Sequence, residues 1–335
     1  MKKIGYRFAA AAVAAVLCIC SSGCRMGDEE VTISRGMSDQ EVFVIDGNVC
    51  TLPMMKLLLM NNMNLYGESY GIDLLQNEDL KVQKKFEQYI KNTSMDEITR
   101  IYSMVALANA QGVVLDDEQK ELAQWAGEDC FKSLSEEEVS YLSITQEEVQ
   151  GLYENYALAN ALYEVLVQDV NEEVSDDEAR IMEIRQIYMT DEEQAKEAHA
   201  DLEEGAEFST VAANFNEADV ISLTLQRGML PEEAEAAVFS MENGEISDVI
   251  ETNEGYYIFC CDNKFDEEQT ELHKKDIVKQ RKEDAFRLVY DPFVETVFSK
   301  LNESVWDNIS VRELEPYAYS DFYVIYKKYM GEDAH

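Results

Sequence analysis

The chain has few residues that interrupt helices and few positive charges. Only four prolines and 15 glycines occur in 335 residues, which favours a largely helical protein. Lys and Arg together number 28 against 68 Asp and Glu, so the net charge is −40. Nucleic-acid binding requires a positive surface that displaces phosphate counterions, so this balance excludes nucleic acid as a partner. Apolar residues still make up 46% of the chain, and the acidity therefore does not predict disorder.

Metal-binding and redox patterns are also missing. The chain has three histidines, and it contains no C-x-x-C pair and no Cys/His cluster with zinc spacing. We therefore expect no metal and no cofactor. The spacing of Cys50, Cys130, Cys260 and Cys261 does not suggest a disulfide framework, although an oxidising exterior would permit disulfides. Their redox state stays open.

The first 23 residues have the order of a secretory signal peptide. Basic residues come first, an apolar run follows over residues 8–20, and small residues precede Cys24. The run is too short to cross about 30 Å of hydrocarbon at about 1.5 Å per residue. The ending resembles the bacterial lipobox, although Ser21 stands where that pattern usually has Leu. This resemblance implies that Cys24 is lipidated; the alternative is an ordinary signal peptide with a chance cysteine.

Lipidation would provide a membrane attachment that the negative net charge of the chain otherwise opposes. Removing residues 1–23 takes away three positive charges and no negative ones, so the net charge goes from −40 to −43. Such a chain is repelled by anionic surfaces. A diacyl-modified Cys24 provides the two lipid chains that stable anchoring needs. We expect an extracytoplasmic protein held by lipid on the outer face of the bacterial cytoplasmic membrane.

The remaining chain divides by pattern into four segments. Residues 24–40 are polar and acidic and predict a tether. Residues 41–175 begin with a hairpin at Asp46-Gly47 and continue as helices, with capping boxes at Ser94, Ser135 and Thr145. Residues 176–265 alternate short strands and helices. Residues 266–335 are predicted helical to Leu301 and end in an aromatic tail, which we expect to pack on the N-terminal helices.

Residues 183–262 resemble a parvulin-type (PpiC) peptidyl-prolyl isomerase domain. The residues that carry the resemblance are Ile184-Arg185-Gln186-Ile187-Tyr188, Gly205-Ala206-Glu207-Phe208-Ser209 with Ala212, Phe239, Asn243-Gly244-Glu245-Ile246-Ser247-Asp248-Val249 and Gly255-Tyr256-Tyr257-Ile258. With the signal and the helical flanks, the chain resembles PrsA-like extracytoplasmic foldase lipoproteins and SurA-like chaperones. The resemblance implies an α+β fold, in which N- and C-terminal segments build a helical chaperone domain and a small parvulin-like α/β domain is inserted between them.

The resemblance also identifies candidate site residues. The family has one histidine after the Arg of the first strand and another in the last strand, where this chain has Gln186 and Tyr257. No catalytic residue is therefore assigned with certainty. The positions that would contact a proline ring or peptide in the family are occupied by four apolar residues, which are Met229, Leu230, Ala234 and Phe239.

Our leading hypothesis is a membrane-anchored foldase or chaperone that binds unfolded or extended segments of exported proteins. Its parvulin-like domain is expected to have weak or lost isomerase activity, because the histidine pair is absent. The first alternative is an active peptidyl-prolyl isomerase, since Gln186 and Tyr257 still offer hydrogen bonds. The second is a surface adaptor lipoprotein without a chaperone role. The sequence leaves clients and oligomeric state open.

Overall fold

The computed structural model describes residues 36–70, 80–311 and 321–331. Cys24 and the predicted signal peptide lie outside these residues. The first part contains β1 (Glu41–Ile45), β2 (Asn48–Thr51), α1 (Leu52–Tyr70), α2 (Leu80–Gln111), α3 (Asp117–Ser133), α4 (Glu136–Leu142) and α5 (Gln146–Val167). The middle part contains α6 (Asp176–Ala179), β3 (Met182–Met189), α7 (Glu192–Glu203), α8 (Phe208–Phe215), β4 (Ser222–Leu225), α9 (Glu232–Val238), β5 (Ile250–Glu251) and β6 (Tyr256–Asn263). The last part contains α10 (Glu267–Val294), β7 (Ser299–Leu301), α11 (Glu303–Asn308) and α12 (Phe322–Met330). This mixture of helices and small antiparallel sheets confirms the predicted α+β class.

The N-terminal hairpin forms at the predicted turn. β1 and β2 pair antiparallel, with Ile45 opposite Asn48. Asp46 and Gly47 both have positive φ angles, 46° and 82°, which is the backbone that a two-residue type I′ turn requires. Asp followed by Gly adopts this backbone at little cost, so the local sequence determines the turn.

The two ends of the described chain meet in one sheet and one core. β7 pairs antiparallel with β1, giving the strand order β2-β1-β7. α12 packs against the N-terminal helices through buried Phe322, Ile325 and Tyr326, and the ring of Phe322 lies 4.1 Å from that of Tyr153. The aromatic residues of this helix are therefore buried by residues far away in sequence.

Two predicted helix boundaries were wrong. Ser94 does not begin a helix, because α2 runs unbroken past it; its side chain is buried and accepts a 2.9 Å hydrogen bond from the amide of Asn62. The predicted helix up to Leu301 stops at Val294, two residues after Pro292, and residues 299–301 instead occupy the free edge of β1. In both places a tertiary contact overrides the local pattern.

The middle of the chain forms a four-stranded antiparallel sheet in the order β4-β3-β6-β5. One face packs on α9 through Met182, Phe259 and Val238, and the other packs on α7 and α8 through Ile187, Ala198 and Ile258. The predicted strand over residues 246–251 is shorter than expected: only Ile250–Glu251 pair as a strand, with one isolated bridge at Ile246.

Helix α10 connects this sheet to the helical part and fixes the chain segment that enters the sheet. The guanidinium group of Arg281 donates to the main-chain oxygens of Asn171 and Glu173, at 2.9 and 3.0 Å, and pairs with Glu178. Lys282 pairs with Glu172 at 2.6 Å. The basic residues of α10 are thus largely partners for an acidic connector.

No helix among residues 36–70, 80–311 and 321–331 is both long and apolar enough to span a bilayer.

Candidate functional site: the parvulin-like pocket

The antiparallel pairing of β3 and β6 brings the two family positions onto one face of the sheet. Gln186 lies opposite Phe259, and Tyr188 lies opposite Tyr257. Because side chains alternate along a strand, Gln186 and Tyr188 point the same way, and their cross-strand neighbours point with them. The predicted positions Gln186 and Tyr257 therefore lie on the same surface, together with Tyr188, which neighbours Gln186 along β3 and lies opposite Tyr257.

These side chains border a cavity of about 490 Å³. Apolar residues from β4 and the following loop complete its wall, namely Leu223, Leu225, Met229 and Leu230. Met229 is 51% exposed, so a bound apolar group could gain contact area by covering it. The cavity thus combines an apolar side with a hydrogen-bonding side, the usual character of a small-ligand or peptide pocket.

The hydrogen-bonding side of the cavity is held in place by main-chain contacts. Gln186 is 7% exposed, and its amide donates to the main-chain oxygen of Val220 at 3.1 Å. The hydroxyl of Tyr188 donates to the main-chain oxygen of Glu254 at 2.6 Å. Burial raises the pKa of Tyr257, and the nearby Glu254 carboxylate adds to the shift. The Tyr257 hydroxyl is therefore uncharged at neutral pH.

The backbone at Gly255, a glycine of the parvulin-like motif, requires a residue without a side chain. Its φ angle is 146°, outside the range that residues with a side chain readily adopt. A Cβ atom there would lie 2.6 Å from the main-chain oxygen of Met189 and 2.8 Å from the ring of Tyr188. This glycine therefore allows the turn before β6 to approach Tyr188 and to present the main-chain oxygen of Glu254 to it.

The loop after α8 forms another part of the rim. The side-chain oxygen of Asn216 accepts from the main-chain nitrogens of Tyr188 and Ala218, and the carboxylate of Glu217 accepts from the hydroxyl of Thr190 at 2.9 Å. Asn216 and Tyr188 were not predicted as site residues. Tyr188 could have been predicted, because it alternates with Gln186 along the first strand. No such pattern marks Asn216, which lies in the loop after α8.

Two predicted pocket residues lie elsewhere. Ala234 is fully buried in α9, and Phe239 is 8% exposed in the same apolar cluster; neither lines the cavity. The guanidinium groups of Arg180 and Arg227 lie 5.8 and 4.4 Å from the centre of the Phe239 ring and cover it. Phe239 therefore packs beneath two arginines instead of facing a ligand.

Among residues 36–70, 80–311 and 321–331, the charged residues that line the cavity are all acidic. Glu217, Asp219 and Glu254 line its rim, and no described Lys, Arg or His belongs to the wall. His199 lies near Glu203 and Asp248, and Nδ1 of His273 contacts the main-chain oxygen of Ala179 at 2.9 Å. The pocket can thus accept and donate hydrogen bonds, and neither described histidine provides it with an imidazole for proton transfer.

Potential metal and thiol chemistry gives no alternative site within the described part of the chain. Residues 36–70, 80–311 and 321–331 contain no group of three or more His, Cys, Asp or Glu side chains arranged to hold a metal ion. Cys50, Cys130, Cys260 and Cys261 are buried free thiols, and burial raises the pKa of each. Thiols of this kind are poor nucleophiles.

Comparison with known proteins shows which domain family this part of the chain is similar to. Residues 144–274 match the family described as PPIC-type PPIASE domain. Over these residues the chain is similar to parvulin-type domains. A curated relative, the foldase protein PrsA of Caldanaerobacter subterraneus subsp. tengcongensis, is 26% identical over 196 residues, which cover 52% of this chain and 58% of the relative. The match therefore spans less than two thirds of that protein. The predicted resemblance to PrsA-like parvulin-type foldases is confirmed.

Solved structures of the same kind are also similar to this chain. PrsA from Bacillus cereus is 20% identical, with 70% of this chain and 92% of that chain covered and a TM-score of 0.35. Foldase protein PrsA from Streptococcus pneumoniae is 18% identical, with coverages of 76% and 98% and a TM-score of 0.31. A SurA-like chaperone of Campylobacter jejuni is 11% identical, with coverages of 78% and 98% and a TM-score of 0.27.

Proposed function

We propose that this protein is a lipid-anchored extracytoplasmic foldase that binds unfolded or extended segments of exported proteins, and that its parvulin-like pocket binds peptide with little or no isomerase catalysis. The observation that carries the proposal is the pocket itself: an open cavity with an apolar side formed around Met229 and Leu230 and an uncharged polar side formed by Gln186 and Tyr257. The match to a PPIC-type domain and the similarity to a PrsA foldase support it.

The chemistry of prolyl isomerisation explains why binding and catalysis can separate. The prolyl amide rotates over a barrier of about 18–20 kcal/mol, and an enzyme must bind the twisted amide more tightly than either planar form. Residues that bind the ground state and the twisted amide equally well do not accelerate rotation. Gln186, whose amide already donates to Val220, and the buried Tyr257 form a wall suited to holding a chain without such discrimination.

An active isomerase is the second candidate, favoured by the fact that the cavity remains open and retains hydrogen-bonding groups beside an apolar wall. A protease-coupled assay with an Ala-Pro peptide separates the two functions. We expect a rate equal to that of buffer, or at most a few times faster. A rate thousands of times above buffer would establish the isomerase instead.

The chaperone function is tested by the aggregation of an unfolded client. The mature chain, added at stoichiometric amounts to chemically denatured protein on dilution, is expected to reduce light scattering, because a binder of apolar segments lowers the concentration of free unfolded chain by mass action. An equally acidic protein without a chaperone function is the control. Identical scattering with the two proteins would contradict the proposal.

A further inference from the structure

A second cavity lies in the helical part of the protein. It has a volume of about 920 Å³ and lies between α2, α5 and α10, with Tyr323 of α12 at one side. Its walls are rich in aromatic rings, contributed by Tyr66, Tyr156 and Tyr163, and Met104 adds apolar surface. A neighbouring cavity of about 600 Å³ shares Arg100 with it, so an extended chain could continue past that residue. Tyrosine-rich walls bind peptide side chains at low entropic cost.

Basic residues also line this cavity. Lys275 and Lys279 are four residues apart on α10 and so lie on one face of the helix. Together with Arg100 of α2 they make no ion pair within the described part of the chain. The fourth, Lys282, is held by Glu172 at 2.6 Å. Arg100 also lies over the ring of Phe286, 5.3 Å from its centre, so the cavity is lined by three cations that have no carboxylate partner, one of them in contact with an aromatic ring.

These cations make no ion pair although the chain is rich in carboxylates. Acidic residues outnumber basic ones by 68 to 28. Elsewhere on the same helix, Lys274 pairs with Asp176, Arg281 with Glu178 and Arg287 with Glu283. Among the Lys and Arg residues of α10, Lys275 and Lys279 are thus the two that make no ion pair within the described part of the chain, and both line the cavity.

The carboxylates in the cavity wall are mostly occupied. Glu97 accepts from the side-chain amide of Asn62 at 2.9 Å and from the hydroxyl of Tyr323, and Glu283 pairs with Arg287. Asp96 is the remaining acidic residue of the wall. Hydrogen bonds from neutral donors leave the charge of Glu97 in place, so three unpaired cations face two carboxylates, and the wall carries a small positive excess in a chain of strongly negative charge.

We propose that this cavity binds extended peptide segments in which aromatic side chains stand next to Asp or Glu. The rings would pack on the tyrosine walls, and the carboxylates would approach Lys275, Lys279 and Arg100. The inference rests on the proposed function as a binder of unfolded segments and gives that function a charge preference: acidic segments, which the rest of the surface repels, are bound at this site. Each ion pair between a peptide carboxylate and a cation at a partly open site contributes little binding free energy. We therefore expect the affinity for acidic segments to exceed that for other segments only several-fold.

The test uses the mature chain and three capped ten-residue peptides carrying a terminal fluorophore, with binding followed by fluorescence anisotropy. The first peptide has two Phe and three Asp, the second has Lys in place of Asp, and the third has Ala in place of Phe. We expect the first to bind about three- to tenfold more tightly than either of the other two at 50 mM salt. Raising the salt to 500 mM should reduce that difference, because charges at a partly open site are screened.

Two double variants locate the binding. K275Q/K279Q is expected to weaken the acidic aromatic peptide about three- to tenfold, and K275R/K279R is expected to retain it. K84Q/K85Q removes the same charge from two exposed lysines on α2 outside the cavity wall and is the control. Equal weakening by both Gln pairs, or equal binding of the Asp and Lys peptides, would overturn the proposal. If aggregation is still suppressed in that case, the proposed chaperone function stands without this site.

Discussion

The hydroxyl of Tyr153 on α5 donates a 2.9 Å hydrogen bond to the main-chain oxygen of Phe322, the first residue of α12. Both residues are fully buried, and their rings lie 4.1 Å apart. The two positions are 169 residues apart, with the entire parvulin-like sheet between them. This bond ties the C-terminal segment to the N-terminal helices.

Tyr153→Phe is expected to lower the free energy of unfolding by about 0.5–1.5 kcal/mol, because the buried side chain loses its hydrogen bond to the main-chain oxygen of Phe322. Urea denaturation followed by circular dichroism measures the change. Tyr256→Phe is the control, because among the described residues the Tyr256 hydroxyl makes no hydrogen bond; it should cost less than about 0.5 kcal/mol. Equal losses in the two variants would show that the Tyr153–Phe322 bond contributes no stability.

The same core predicts sensitivity to alkali. Burial raises the pKa of Tyr326 from 10.0 to about 12 and that of Cys130 from 9.0 to about 11. Each group therefore stabilises the fold fully below its unfolded pKa, and this contribution is lost as the pH rises through the folded pKa. For Tyr326 the loss between pH 10 and 12 is of the order of 2–3 kcal/mol, since one pKa unit corresponds to about 1.4 kcal/mol.

Tyr326→Phe should reduce this alkaline loss. Stability is measured by urea denaturation at pH 8, 9, 10 and 11, where the wild-type curve is expected to fall from about pH 9 and the variant curve to fall less steeply above pH 10. Parallel curves for the two proteins would show that Tyr326 does not contribute to the alkaline transition.

Strand β3 of the parvulin-like unit and the N-terminal hairpin were predictable because short-range patterns determine them. The alternation of residues along β3 and the Asp46-Gly47 pair each involve neighbours in sequence, and the expected strand and hairpin formed there. The mistakes concerned long-range contacts. The residues next to Ser94 in sequence do not predict that the side-chain amide of Asn62 will donate a hydrogen bond to its hydroxyl. The residues next to 299–301 likewise do not predict that this segment will pair with the free edge of β1.

The site was predictable in part for the same reason. Gln186 and Tyr257 are located by strand register, which the alternation of apolar residues determines. The position of Phe239 depends instead on Arg180 and Arg227, which come from two different connecting segments and cover its ring. Sequence spacing alone could not show that these two arginines would pack on the ring of Phe239.

Any residual isomerase activity should show no histidine dependence. No histidine of the described residues lines the parvulin-like cavity, so the rate above buffer, whatever its size, should lack an inflection near pH 6.5. Tyr257→Phe, which removes only a hydroxyl, should leave the rate unchanged. The protease-coupled assay at pH 6, 7 and 8 measures both effects. A rate that falls tenfold in Tyr257→Phe would make this hydroxyl part of a working isomerase site.

The proposed anchor is tested by Cys24→Ala. If the lipid on Cys24 provides the membrane attachment, the variant chain should appear in the soluble extracytoplasmic fraction, whereas wild type sediments with membranes. Cys50→Ala is the matched control, since Cys50 is a buried thiol inside the folded part and should not affect attachment. Membrane association that survives in Cys24→Ala would disprove lipid anchoring at this residue.

The acidic rim of the parvulin-like pocket predicts a peptide preference opposite to that of the helical cavity. Glu217, Asp219 and Glu254 surround the apolar wall without a basic residue among them, so Lys or Arg beside a bound apolar side chain should be favoured. A fluorescent capped peptide with Lys on both sides of Leu-Pro is expected to bind about three- to tenfold more tightly than its Glu counterpart. The variant E217Q/D219N/E254Q should remove this difference by neutralising the rim.

The control D117N/E136Q/E137Q makes the same change in net charge at first-turn residues of α3 and α4, away from the pocket. It should preserve the preference for the Lys peptide, because only carboxylates within about 10 Å of the ligand act strongly at physiological salt. If the control abolishes the preference as well, the selection comes from the overall charge of −40 and not from the three rim residues. Because the rim and the helical cavity carry opposite charge, the Lys peptide should also be unaffected by K275Q/K279Q.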